Sequence, residues 1–356
     1  MKISLYQYSL PFRTPLKTAN AFFPVREGLL IHCLDQDRIS VWAEASPLPG
    51  FSSESVSDII QASEKLIESI SKGKNLIDGI PSLSFAVDCI LWKIGRTGEM
   101  KFSPETTLKT FSPTPRNIPV NTAIGIGDKQ MALNKVNHYY NEGYRTFKFK
   151  VGLDRALEES ILTSVCNKYP DISIRLDANR GWSLETALSI LADWKQFNPE
   201  YCEEPVQGGI FEELSRIKTT TGVPVAADES VRDIGSARRL TEGKLADFLI
   251  LKPSLIGNIS DFLHICEMAQ NSEIQVVVTT ALESAIGRSW VYALASMIDN
   301  GLAMGLATGD LFEYDIADDS NLFKKGHLCF DSVMLNTIQP DSEKLKNLKS
   351  VWEFNI

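Results

Sequence analysis

Eight short apolar runs recur along the last two-thirds of the chain, each followed by a stretch of helical periodicity. They read IPVNTAI, TFKFKV, SIRLDAN, YCEEPV, VPVAADES, FLILKP, VVVTT and GLATG. Anchored on Lys148, Asp177, Glu203, Asp228, Lys252, Thr279 and Thr308, they stand 29, 26, 25, 24, 27 and 29 residues apart. One strand, one helix and two short loops fill such a period, and a (β/α)8 barrel needs eight of these units in about 250 residues. An open doubly wound sheet also alternates strand and helix but rarely keeps so even a spacing. No GxGxxG follows the first run, which further weakens a dinucleotide-binding reading. The predicted class is therefore α/β, a (β/α)8-type (TIM-like) barrel.

The chain has 356 residues, enough for such a barrel with an appendage. Upstream of the barrel, residues 1–10, 28–34 and 38–44 read as strands, with loops at 14–24 and 46–52. Residues 55–70 and 82–94 carry apolar side chains at helical spacing. A Pro/Thr/Ser-rich stretch at 96–117 reads as a join. The expected organisation is an α+β capping domain over 1–115, a barrel over 116–312, and a tail, 313–356, that returns to the cap.

Charge and patterning exclude several classes. The net charge is -9, from 36 basic and 45 acidic residues, and no basic stripe marks a nucleic-acid binder. No apolar run approaches the ~18 residues of a membrane span. The N-terminus lacks the apolar core of a signal peptide, and the six cysteines form no CxxC pair. A cytoplasmic protein acting on a small molecule, with neither nucleic-acid nor membrane partner, is expected; the oligomeric state is not legible. His32, His138, His264 and His327 fall outside every strand end and read as surface or packing residues.

Chemistry in a barrel of this kind sits at the C-terminal ends of the strands. Here those ends carry Lys148 and Lys150, Asp177 and Asn179, Glu203-Glu204-Pro205, Asp228-Glu229-Ser230, and Lys252. Taken singly, each is ordinary: a solvated strand edge, a loop acid, a helix N-terminus. Together, three acids and three lysines at successive strand ends are costly to bury unless paired or holding a metal. Three carboxylates without Cys or His suit a hard cation, Mg2+ with Mn2+ as the alternative. A lysine in a partly desolvated site can act as a base. Metal plus lysine suits removal of a proton α to a carboxylate, giving an enediolate.

KFK, LDAN, CEEP, AADES and LKPSLIGN, in this order, resemble the enolase superfamily, muconate-lactonizing subgroup, over essentially the whole chain. PLPGFS at 47–52, DANRGW at 177–182, KPSLIG at 252–257 and GLATGDLF at 305–312 are similar to its o-succinylbenzoate synthase branch. The resemblance implies that Asp177, Glu203 and Asp228 are the Mg2+ ligands. Glu203 is chosen over Glu204 because the family's ligand lies two residues before the proline. It implies that Lys150 is the base and then the acid of a syn dehydration, and that Lys148 stays charged beside the substrate carboxylate. Lys252 would stabilise the enediolate and face the ring by a cation–π contact. Gly50 and Phe51 would belong to a cap loop closing over the substrate, with Asn179 and Glu229 supporting the ligands and lysines. The family's serine-rich seventh strand reads Thr279-Thr280-Ala281-Leu282-Glu283-Ser284 here, so Thr279, Thr280 and Gly305 are the candidates for holding a second carboxylate. Two-base racemisation of N-acylamino acids or dipeptides is the competing activity, with Asp310 available for an α-ammonium group. A non-catalytic barrel would be expected to have lost one of the six charged residues. A Schiff-base aldolase leaves the three acids unexplained.

Overall fold

The computed structural model describes residues 1–17, 22–35, 39–95, 115–125, 127–208, 210–331, 334–346 and 348–355. The chain opens with an antiparallel meander of β1 (Lys2–Lys17), β2 (Phe22–Leu34) and β3 (Ser40–Ala45). The hairpin of β1 and β2 runs from Lys2 opposite Leu34 to Lys17 opposite Phe22, with a register irregularity between Pro11 and Leu16. The loop expected over 14–24 is thus largely strand. Leu16 pairs with the buried Phe23, and the irregular stretch takes up Pro15 and Pro24, which cannot donate to the ladder. Residues 18–21 of that stretch, Arg38 of the third expected strand and residues 96–114 of the expected join lie outside the described residues.

The expected helix over 55–70 is two helices, α1 (Val56–Gln61) and α2 (Ser63–Lys72), broken at Ala62. Ser55 and Asp58 form a capping box for the first, and a left-handed Gly73 ends the second. Helix α3 (Pro81–Lys93) starts on a proline and is buried almost all round from Ser82 to Leu91. Such all-round burial marks a helix sandwiched between two layers.

A short strand, β4 (Arg116–Pro119), precedes the barrel. The barrel strands are β5 (Asn121–Ile124), β6 (Thr146–Lys150), β7 (Ser173–Asp177), β8 (Tyr201–Glu203), β9 (Val225–Ala227), β10 (Phe248–Leu251) and β11 (Gln275–Val278). They form one seven-stranded sheet in chain order, with every pairing parallel. Helices α4 (Lys129–Asn141), α5 (Arg155–Lys168), α6 (Leu184–Trp194), α7 (Phe211–Thr221), α8 (Ile234–Glu242), α9 (Pro253–Ile256), α10 (Ile259–Asn271) and α11 (Ala285–Ala295) alternate with them. Asp128, Asp154, Ser183, Asp233 and Asn258 cap helix N-termini with their side chains. Along β6, β7 and β8, Phe147, Phe149, Ile174, Leu176 and Cys202 are buried, alternating with polar residues that face the barrel interior, whereas β10 is apolar throughout.

The eighth expected run is not a full strand. Met304 and Gly305 make single parallel bridges to Val120 and Thr279, and these close the ring. The backbone bonds are Asn121 N to Met304 O, Met304 N to Pro119 O, Gly305 N to Val278 O and Thr280 N to Gly305 O. The tail does more than return to the cap. Strands β12 (Phe323–Lys324) and β13 (His327–Phe330) first join β4 in a separate sheet at the foot of the barrel. Only then does β14 (Lys349–Asn355) pair with β1 and complete the cap sheet.

Candidate active site

Strand alternation sends Lys148 and Lys150 of β6 to the same side, where they meet the acids of the next two strands. Lys150 Nζ lies 2.6 Å from Asp177 Oδ2 and donates to Asn179 Oδ1 at 2.8 Å. Lys148 Nζ lies 3.0 Å from the same Asp177 oxygen and 2.9 and 3.1 Å from the two Glu203 oxygens. Across the mouth, Lys252, just beyond β10, pairs with Asp228, just beyond β9. Strands β6 and β10 are four places apart in the closed ring, so Lys150 and Lys252 approach its centre from opposite sides. The structure thus gathers all six predicted charged residues into one mouth.

Asp177, Glu203 and Asp228 are all buried. Burial pushes the Asp177 carboxyl up, but Lys148 and Lys150 outweigh it and hold the group well below the usual carboxylate range. Glu203 goes the other way: burial, reinforced by the neighbouring charge of Asp177, pushes it up to about 8 despite Lys148. Burial disfavours the Lys148 ammonium, yet Asp177 and Glu203 raise it well above an ordinary lysine. Lys252 is raised too, burial being outweighed by Asp228 and Glu229.

Glu203 and Glu204 point to opposite sides of the end of β8. Glu204 has φ 37°, is buried, and accepts from the Asp228 amide at 3.3 Å, the Ser230 amide at 2.6 Å and Ser230 Oγ at 3.2 Å. It therefore grips the loop that carries Asp228. Arg180 Nε stands 3.6 Å from Glu204 and 4.0 Å from Glu229. Burial, then Asp228, pushes Glu229 up to about 7, and its buried Oε2 has no hydrogen-bond partner among the described residues. The grip of Glu204 was not legible as chemistry; only the alternation along EEP hints that the two acids have different tasks.

A cavity of about 210 Å³ opens beside Lys252, lined by Gly50, Phe51, Arg180, Asp228, Glu229 and Lys252 among others. The 47–52 loop covers it. Phe51 and Ser52 amides both donate to the Leu48 carbonyl, and Leu48 N donates to Ser52 Oγ. Pro49 precedes Gly50, which has φ 82°; proline then left-handed glycine is the signature of a type II turn. The turn lays the Phe51 ring 5.0 Å from Lys252 Nζ. Thr279, Thr280 and Gly305 are not among that lining. Thr279 Oγ1 donates to Gly305 O at 3.0 Å, and Thr280 Oγ1 lies 2.9 Å from Thr308 Oγ1. A Cβ on Gly305 would stand 2.4 Å from Thr279 Oγ1. These residues fasten the seam that closes the ring, because the eighth segment has no strand ladder to hold it. Asp310 also lies elsewhere: its side chain meets Tyr139 Oη at 3.4 Å and it lines a different cavity.

Among the described residues, no three His, Cys, Asp or Glu side chains stand grouped as ready metal ligands. Each of the three expected carboxylates faces a lysine instead. The donor set still fits a hard divalent cation: three buried carboxylates, no sulfur and no imidazole. Burial first, and then the nearby charge of Asp177, push Glu203 up, so its ionised form calls for a further cation beside Lys148.

Residues 132–331 match the family model of enolase C-terminal domain-like proteins, and residues 1–94 match the MenC N-terminal domain. Barrel, cap and strand-end charges thus define an enzyme of the enolase superfamily. The chain is 30% identical to the o-succinylbenzoate synthase of Haemophilus influenzae, over 88% of this chain and 91% of that protein. It is 28% identical to that of Proteus mirabilis over 98% of both chains. Within the superfamily, the chain belongs to the o-succinylbenzoate synthase family. Among solved structures, the N-succinyl Arg/Lys racemase of Bacillus cereus superposes with TM-score 0.84 at 19% identity, over 99% of this chain and 98% of that one. The o-succinylbenzoate synthase of Thermosynechococcus elongatus, complexed with Mg in the active site, gives 0.71 at 23% identity, over 88% and 95%. No helix among the described residues is long and apolar enough to cross a membrane.

Proposed function

We propose that the protein is a Mg2+-dependent o-succinylbenzoate synthase. It would dehydrate 2-succinyl-6-hydroxy-2,4-cyclohexadiene-1-carboxylate to 2-succinylbenzoate, a step of menaquinone biosynthesis, in the cytoplasm. The cap of 1–115 and the tail of 313–356 would close over a barrel of 116–312. The observation that carries this reading is the pair Lys150 and Lys252, facing each other across three buried carboxylates.

Asp177, Glu203 and Asp228 would hold the ion, and Mn2+ would serve in its place. Bound there, Mg2+ supplies Lewis-acid stabilisation of negative charge developing on the substrate carboxylate. Lys150 takes the proton α to that carboxylate, and the C–H electron pair moves into the enediolate. The same ammonium then protonates the departing hydroxyl on the same face, releasing water as the enediolate electron pair forms the third double bond and the ring becomes aromatic. Lys148, held by Asp177 and Glu203, keeps its charge beside the carboxylate. Lys252 stabilises the enediolate from the far side. The Phe51 ring, 5.0 Å from its ammonium, favours a fixed charge there over a second base.

Racemisation of an N-acylamino acid is the second reading, because two lysines on opposite faces also meet its geometry. A dipeptide substrate is less well served, since Asp310 is turned toward Tyr139. Dehydration and α-proton exchange in D2O separate these readings. Lys150→Ala should lose at least the ~10²–10⁴-fold of general acid–base catalysis. Lys252→Arg should retain measurable dehydration but no racemisation, since a guanidinium does not deprotonate near neutral pH. Dehydration surviving in Lys150→Ala but lost in Lys252→Arg would show the catalytic face to be reversed. EDTA should abolish activity, with Mg2+ or Mn2+ restoring it; full activity after exhaustive chelation removes the metal assignment.

A further inference from the structure

Arg26, in β2 of the cap, is 1% exposed, and among the described residues no carboxylate lies within its hydrogen-bonding shell. All five guanidinium N–H groups go to main-chain carbonyls. Nε donates to Leu282 O at 3.0 Å, and Nη2 to Ser46 O at 2.6 Å and Ala281 O at 3.3 Å. Nη1 donates to Pro47 O and to Glu27 O. One side chain therefore ties the cap strand to two separate loops. The first is the start of the 47–52 turn that lays Phe51 on Lys252. The second is the barrel loop after β11.

That second loop leads to the same lysine. Glu283 accepts from the Ala281 amide at 2.6 Å and from Ser254 Oγ at 2.6 Å, and Ser254 lies two residues past Lys252. Leu282 sits between them with φ 62°, a conformation a leucine holds only when its surroundings impose it. Glu44 of β3 holds the far end of the loop, accepting from the amides of Ser284 and Gly287 at 3.1 Å and from Tyr8 Oη at 2.6 Å. Both routes from Arg26 converge on Lys252, one through the ring above it and one through the turn that follows it.

We propose that Arg26 is a positioning residue for the reaction, setting Lys252 and its Phe51 cover in register with the barrel mouth; this rests on the functional reading above. A planar fork with five donors meets five carbonyls, whereas a lysine has only three donors and cannot span both loops. The test compares Arg26→Met and Arg26→Lys with wild type. KM for the cyclohexadiene carboxylate should rise about tenfold or more, by more than kcat falls, as expected when a closing loop is misplaced. Amide hydrogen exchange should quicken together in residues 46–52 and 281–284 and stay unchanged in β6 to β8. Combined with Phe51→Ala, the effect on KM should be less than additive. A lowered melting temperature with KM and local exchange unchanged, or strict additivity with Phe51→Ala, overturns the proposal. Arg26→Lys, which keeps the buried charge, decides the matter if Arg26→Met does not fold. If wild type fails to dehydrate the diene acid, the functional reading falls, and the exchange measurement alone judges Arg26.

Discussion

Lys148 and Arg175 are direct register partners on neighbouring barrel strands, yet their cations live on different terms. Lys148 reaches up to two carboxylates, Asp177 and Glu203. Arg175 is wholly buried below them. It pairs with Glu200 at 2.5 Å, donates to Ala303 O at 2.7 Å and to Asn121 at 3.3 Å, and lies 4.9 Å from the Tyr201 ring centre. The lower layer is a plug whose charge is permanent and whose acceptors are mostly neutral. The upper layer is a set of acids and ammonium groups whose charges trade against one another. Arginine keeps its charge among neutral acceptors, whereas the Lys148 ammonium is kept by the two carboxylates that flank it.

The sharpest break would come at the mouth. Glu203→Gln should lower kcat/KM at least ~10³-fold, as loss of a preorganised charge does. Glu204→Gln should cost only about tenfold, the range for a residue supporting a ligand, because its amide can still accept from Ser230. Steady-state kinetics on both variants decide it, and the reverse order would make Glu204 the working member of the pair.

In the plug the readout is stability. Arg175→Met strands Glu200 and the Ala303 carbonyl, and urea unfolding should show a loss of about 3–4 kcal/mol. A loss under about 0.5 kcal/mol, the range of an ordinary surface substitution, would mean that the two layers do not differ as described.

Asp88 of α3 supplies a third case, a buried acid with no cation beside it among the described residues. It accepts from Asn75 Nδ2 at 2.7 Å and from the Ile259 amide at 2.9 Å, which joins the cap to the start of α10. Burial pushes it up to about 6, above its ordinary 3.8. Its contribution to stability is therefore fully present below about pH 4 and is lost as pH rises through 6. Between pH 4 and 7 the unfolding free energy of wild type should fall relative to Asp88→Asn by about 2–3 kcal/mol. Parallel pH profiles for the two proteins would remove the claim.

The barrel was legible because each unit writes its own period, and a charged residue at a strand end stands out against an apolar run. The mouth followed, since Lys150, Asp177, Glu203, Asp228 and Lys252 needed only the ring to bring them together. What stayed hidden depends on partners distant in the chain. Arg26 meets carbonyls 20 and 256 residues away, and carbonyls carry no side-chain signature. The seam bonds of Thr279 and Thr280, the candidates for holding a second carboxylate, stayed hidden because nothing in the sequence shows that the eighth segment lacks a ladder. The long hairpin was missed for a related reason: prolines that break most strands are absorbed here by a register shift.

That thin closure also bears on how the chain acquires its fold in time. Residues 119–121 and 278–280 have to wait for Met304 and Gly305 before the ring exists. Until then β5 and β11 are the two bare edges of an open parallel sheet, the kind of surface that recruits another chain. Such distant contacts form late because a long loop must close first. The ring cannot close before Gly305 is in place, and until it does those two edges are what a chaperone would have to shield.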